Sequence, residues 1–276
     1  MSARSETVLI EACVDSVASA VAAVEGGAGR LELCDSLCDG GTTPSAGMIA
    51  TVKTRVEVPV FVIIRPRGGG FLYSTDELAV MRRDIDMVKQ LGADGLVFGA
   101  LRPDARIDTD HMALLLDVSG STPVTFHRAF DFTPDLDESL DTLGALGIVR
   151  VLTSGGAPTA ARGAERLASL VVRADGHLTV MAGGGIHEDT IGDLVRLTGV
   201  RELHVRATRL ARREMRSDHV RTRVRRPLPD DEAAWEETDA DRVRRMVAAA
   251  NDAARPPAFT SALGLNQVGA QRSAGS

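Results

Sequence analysis

The chain predicts an α/β fold, and within that class a closed (β/α)8 barrel of the TIM type, on three observations. Eight short apolar runs are each followed by a pattern of helical period. The turns that lead from helix back to strand are short and contain glycine, as at Gly27-Ala28-Gly29, Leu91-Gly92-Ala93 and Leu146-Gly147-Ile148. A length of 276 residues fits eight such units, which take roughly 250. Apolar strands alternating with helices imply a parallel sheet covered by helices. A doubly wound open sheet is the competing arrangement, but no Gly-x-Gly-x-x-Gly turn follows the first strand, and the polar residues are spread over all the units.

The elements follow in order. The first strand spans 7–13, and Asp15 is the expected N-cap of an Ala/Val-rich helix that stops at Gly26-Gly27. A strand at 30–34 precedes a helix from Ser45, one at 60–65 a helix from Ser74, and one at 95–98 a helix from Asp108. Strands at 124–127, 149–153, 179–181 and 202–206 complete the eight, with a helix beginning near His187 behind the seventh. One domain over 1–255 accounts for all of these units. The stretch 256–276, built of Gln, Gly, Ser and Ala, reads as a disordered tail.

Composition excludes several function classes. A net charge of −6 offers no overall basic excess for nucleic acid, and 25% charged residues suit a soluble globular chain. Cys13, Cys34 and Cys38 make an odd number without zinc-site spacing, so a secreted disulfide framework is not expected. No run approaches the about 18 apolar residues of a membrane span, and no basic region with an apolar core opens the chain. The expectation is a protein of the reducing cytoplasm without a membrane or nucleic-acid partner.

The strands carry polar residues that a buried strand would not hold without a partner. Period 2 puts Glu11 with Cys13, and Glu32 with Cys34, on one face of neighbouring strands. Arg65, His127 and His204 lie at or near the ends of three others, where chemistry sits in such barrels. Together they predict one cavity at the C-terminal end. Each residue also has an ordinary structural reading: a strand cysteine as a small buried hydrophobe, a histidine as a satisfied core group. His111, His177, His187 and His219 read as surface positions. Thr153-Ser154-Gly155-Gly156 and Gly183-Gly184-Gly185 follow the sixth and seventh strands, where exposed backbone N–H groups can cradle an anion.

The chain resembles the CutC copper homeostasis protein family. The resemblance rests on Cys13-Val14-Asp15-Ser16, Glu32-Leu33-Cys34, Gly40-Gly41-Thr42-Thr43-Pro44-Ser45, Ile64-Arg65-Pro66-Arg67-Gly68-Gly69, Phe71-Leu72-Tyr73-Ser74 and Leu96-Val97-Phe98-Gly99. It continues through Thr125-Phe126-His127-Arg128-Ala129-Phe130-Asp131, Leu152-Thr153-Ser154-Gly155 and the triple glycine at 183–185, and spans about residues 8 to 250. It implies a TIM-type barrel, a cytoplasmic homo-oligomer, and copper tolerance or Cu(I) binding through Cys13 and Cys34. Gly70 stands where an acidic residue is usual, Ala182 where proline is, and Arg206 where a small residue is. With nine arginines over 206–226, these departures predict a more basic mouth.

Two functions follow. In one, Cys13 and Cys34 bind copper as Cu(I), a soft ion that thiolates suit. In the other, an enzyme acts on a small anionic substrate, phosphorylated or carboxylate. Glu11, Glu32, His127 and His204 then carry acid/base chemistry, and Arg65, Arg67, Arg128, Asp131, Ser154, Gly183, Gly184 and Gly185 bind the substrate.

Overall fold

A computed structural model describes residues 7–212 and 234–255. The tail from 256, His219 and the arginines beyond Arg212 in the basic segment lie outside the described residues. Strands β1 (Leu9–Val14), β2 (Arg30–Leu33), β3 (Val60–Ile63), β4 (Gly95–Phe98), β5 (Val124–Phe126), β6 (Arg150–Thr153), β7 (Thr179–Gly183) and β8 (Glu202–Val205) form a closed barrel in chain order. Every pairing is parallel, and β8 closes back onto β1 with Glu11 opposite His204. Helices α1 (Val17–Glu25), α2 (Ala46–Lys53), α3 (Thr75–Gln90), α4 (Thr109–Ser119), α5 (Leu136–Ala145), α6 (Ala164–Ala174) and α7 (Ile191–Thr198) each follow a strand.

The helix starts obey the capping chemistry of the sequence, with two corrections. Ser45, Ser74 and Asp108 are N-caps, Ser74 within a capping box completed by Glu77. The first helix is capped by Ser16 instead of Asp15: β1 ends one residue later than expected, and Ser16 accepts from the Ser19 amide. α7 begins at Ile191, four positions after His187, because Thr190 Oγ1 accepts from the His187 amide and holds a separate turn there.

A feature the sequence reading lacks sits between β8 and the last helix. β9 (Thr208–Arg212) and β10 (Ala234–Thr238) form an antiparallel pair that lies over the barrel mouth side of α1, tied to it by the Thr238 amide on Ser19 Oγ at 3.1 Å. The chain then enters α8 (Ala240–Ala254), whose Asn251 Oδ1 accepts from the Val8 amide at 2.9 Å and anchors the start of β1.

Apolar burial is divided between two places. The outward faces of the strands, with Ile10, Leu31, Leu33, Val62, Ile64, Leu96 and Phe98, pack against the helices. Inside the barrel a small cluster of Cys13, Cys34, Phe61, Ile63 and Val97 stands apart. Below it the barrel interior is ionic. Arg30 donates to Glu11 and, at 2.5 Å, to Glu202, and Arg150 donates to Glu202 through Nε at 2.5 Å and Nη2 at 3.1 Å. Both guanidinium groups lie over the Phe61 ring, at 5.1 and 5.4 Å from its centre. The four side chains are at most 15% exposed, so each charge needs its neighbour of opposite sign.

Arg30 bridges two carboxylates, so replacing it leaves both buried without that cation. Arg30→Met is expected to lower stability by about 3–5 kcal/mol, read as an earlier midpoint in urea unfolding. Arg30→Lys, which keeps the charge but loses the fork, is expected to fall between the two.

Candidate active site and metal site

Two joined cavities open at the C-terminal ends of the strands. The inner one, about 120 Å³, is bordered by Cys13, Glu32, Cys34, Ile63, Phe71, His127, Leu152 and His204. The outer one, about 630 Å³, is bordered by Gly184, Gly185, Ile186, His187, Arg206, Arg242 and residues of the β9–β10 pair. Cys13, Gly40, Arg128 and His204 border both, which makes the chambers continuous.

The inner chamber is built by strand register. Cys13 stands opposite Glu32, and Cys34 follows directly after β2 with its amide on the Val14 carbonyl. The two thiols consequently meet, Sγ to Sγ 3.8 Å, and both are buried. His204 reaches in from β8 with Nδ1 2.8 Å from Glu11 and 3.4 Å from Glu32. Donor atoms of Cys13, Glu32 and His204 all lie within 4.8 Å of one another.

Burial and these contacts set the protonation. The hydrogen bond from Cys34, helped by His204, outweighs burial and brings the Cys13 thiol down to about 6, while Cys34, as the donor of that bond in a buried place, is pushed well up. Burial raises the Glu32 carboxyl to about 8. Burial opposes charge on His204, but Glu32, Cys13 and Glu11 outweigh it and hold the imidazolium well above its ordinary value. Glu11, for which burial is outweighed by His204 and Arg30, falls to about 2. At neutral pH the chamber therefore holds a thiolate, an imidazolium and a protonated carboxyl.

His127 has a different environment. Burial and the charge of Arg65 bring its imidazole down to about 3, so it is neutral. Its Nδ1 accepts from the Ala129 amide at 3.3 Å, which puts the ring proton on Nε2, and that buried atom has no partner among the described residues. The ring is clasped by Phe71, 4.7 Å away, and fits only because residue 99 is glycine: a Cβ there would lie 2.8 Å from Nδ1.

Several predicted site residues are brought together and others are not. Cys13, Cys34, Glu32, His127, His204, Arg128, Gly184 and Gly185 border the cavities. Glu11 does not; it is 1% exposed and sits beneath His204 as an orienting carboxylate instead of facing a ligand. Arg65 donates to the carbonyls of Asp39, Gly41 and Gly69, and Arg67 to Glu77 and to carbonyls at Gly70 and Leu72. Both arginines thus staple loops, and neither borders either chamber. Asp131 and Ser154 support the site from behind: Asp131 accepts from Arg128 Nε, the Thr153 hydroxyl and the Ser154 and Gly156 amides, and Ser154 Oγ accepts from Arg128 Nη2. Gly183 leaves room for Leu152 and His204, since a Cβ on it would lie 2.5 and 3.1 Å from them.

The mouth is also less basic than its arginines suggest. Arg206 pairs with Glu236 at 2.5 Å and Arg242 with Glu188 at 2.7 Å. His187 is exposed as expected yet borders the outer chamber, and His177 is exposed. His111 is half-buried, with Nδ1 2.8 Å from Asp108. Cys38 is exposed, outside both chambers. The residues missed in the sequence are Arg30, Arg150 and Glu202. Period 2 carried back from Glu32 points Arg30 inward, and this was the available signal.

Comparison with known proteins follows from this geometry. The sequence profile of the CutC family matches residues 8–209. A mouse protein called copper homeostasis protein cutC homolog is 45% identical over 244 residues, covering 88% of this chain and 90% of its own. Its human counterpart is 45% identical over 246 residues, covering 88% and 89%. A CutC crystal structure from Streptococcus agalactiae superposes with a TM-score of 0.70 at 35% identity, over 72% of this chain and 98% of that one.

The Cys13 thiol is expected to titrate near 6. Followed by thiolate absorbance near 240 nm, the reduced protein should show a step centred there that Cys13→Ser removes. Cys34→Ala, which removes the donor, should move the step upward.

Proposed function

The chain belongs to the CutC family, and from that premise we propose that the inner chamber binds Cu(I), with copper as cargo in cellular copper homeostasis. The observation that carries the reading is the Cys13–Cys34 pair, whose sulfurs stand 3.8 Å apart at the edge of an open cavity. Two metal–sulfur bonds of about 2.3 Å, the length found in zinc thiolate sites, span more than this, so both sulfurs reach one ion with a bent geometry. His204 can supply a third, nitrogen donor once it gives up its proton. Glu32 is a hard oxygen ligand held protonated, and suits Cu(I) least.

Two finer features belong to the same proposal. Three free thiols support residence in the reducing cytoplasm. Exposed Leu72 and Phe132, the latter edge-to-face with Phe71 at 5.5 Å, support a homo-oligomeric contact near the mouth. Among the described residues no helix is long and apolar enough to cross a membrane.

A second reading, an acid/base enzyme acting on a small anionic substrate, is favoured by one observation. Glu32 faces the cavity with its carboxyl raised to about 8, which makes it a proton donor at neutral pH beside an unpartnered His127 Nε2.

Copper binding is tested by competition with a chelator of known affinity under anaerobic reduction. Cys13→Ser with Cys34→Ser is expected to weaken Cu(I) binding by orders of magnitude with the thermal unfolding profile retained, and His204→Gln by a smaller factor. His127→Phe should leave it nearly unchanged. Cu(I) affinity no better in the native protein than in the double serine variant would overturn the reading.

A further inference from the structure

The two chambers differ in chemistry: the inner one supplies soft donors, and the outer one supplies hydrogen-bond donors that copper cannot use. Gly184 and Gly185 both have positive φ, +104° and +62°, and form a turn whose amides border the outer chamber. Neither amide donates to a protein acceptor among the described residues. The Gly184 carbonyl, by contrast, is used by the Ala160 amide at 2.8 Å, so the turn is held with its donors left over. Arg128 stands beside it: a Cβ on Gly184 would lie 3.1 Å from Arg128 Nη1 and would crowd the guanidinium. Nε and Nη2 of Arg128 are committed to Asp131 and Ser154, which fixes the plane and leaves Nη1 without an acceptor among the described residues.

A glycine turn alone does not make a site. The independent observation is His127, 5% exposed, which borders the inner chamber with Nε2–H lacking any acceptor. A buried donor in that state is costly unless a ligand oxygen completes it. Arg128 borders both chambers, so one molecule can satisfy the turn and the histidine together.

We propose that the barrel mouth binds a small phosphate monoester carrying a carbonyl or hydroxyl oxygen: the phosphate lies on the Gly184 and Gly185 amides and Arg128 Nη1, and the neutral oxygen accepts from His127 Nε2. Two amides and a guanidinium nitrogen suit the three terminal oxygens of a phosphate monoester better than the two of a carboxylate. The rim arginines add little net charge, because Arg206 and Arg242 carry their own carboxylates. Recognition therefore depends on fixed donors instead of a cationic field. This ligand class deepens the enzyme reading and is independent of copper.

The test is titration calorimetry on the full chain with inorganic phosphate and with glycerol 3-phosphate, without any turnover assay. Native protein is expected to bind glycerol 3-phosphate at least tenfold more tightly than phosphate. Arg128→Gln should weaken both by tenfold or more, whereas His127→Phe should remove the preference while phosphate still binds, which also reports that this variant is folded. Cys38→Ser, at an exposed thiol outside both chambers, should bind both ligands as the native protein does. Absence of saturable binding of either ligand, or equal binding by native protein and Arg128→Gln, overturns the proposal. Because turnover is not read, the acid/base reading can fail with this site intact.

Discussion

The alternating charges inside the barrel are the constraint on which the rest of the site depends. Arg150, Glu202, Arg30 and Glu11 run across strands β6, β8, β2 and β1, and the series ends on His204. A barrel interior is ordinarily filled by branched apolar side chains. Here a buried ionic floor replaces part of that filling, and such a floor is tolerated only when every member is paired. The last acid in the series, Glu11, fixes the imidazolium of His204, and that imidazolium in turn favours the thiolate of Cys13. The reactive state of the cysteine thus depends on Cys34 and His204 beside it, and through His204 on the ionic floor below.

Above the floor, the two chambers divide the chemistry between soft and hard donors. Thiols and imidazole line the smaller chamber, and amides with a guanidinium line the larger, with Arg128 and His204 at the junction. The arrangement explains why a copper reading and a phosphate reading arise from the same mouth without competing for the same atoms. It also places the β9–β10 pair as a wall of the outer chamber, through Thr208, Leu210 and Glu236.

Much of this was legible in the sequence, for identifiable reasons. Strand ends bearing His127 or Glu32 are informative because a buried polar group at that level of a barrel has few structural uses. The helix starts at Ser45, Ser74 and Asp108 follow from local capping, which needs no tertiary information. Arg30, Arg150 and Glu202 were passed over because they stand at strand starts, where a charge ordinarily belongs to a solvated turn; the closing of the barrel turned them inward. Arg65 and Arg67 were assigned to an anion because spacing shows a charge but not its acceptors, and their acceptors are mainly carbonyls of loops fixed only by the tertiary fold. The β9–β10 pair lacks a signal because its two strands are separated by a stretch whose composition reads as a basic loop.

The seam of the barrel runs through the site, since Glu11 of β1 pairs across it with His204 of β8. The thiol pair comes entirely from the first two βα units, whereas His204 and the Glu202 that balances Arg30 belong to the eighth strand. During synthesis the two sulfurs are therefore available long before the imidazole and the counter-charge exist. A nascent or truncated chain would hold the thiol pair without the imidazolium, and the full lowering of the Cys13 pKa, which Cys34 begins and His204 completes, would be reached only when the last strand docks. Completion of the fold and full activation of the cysteine then coincide, and a chain caught short of closure holds its thiol pair without the cation that finishes the activation.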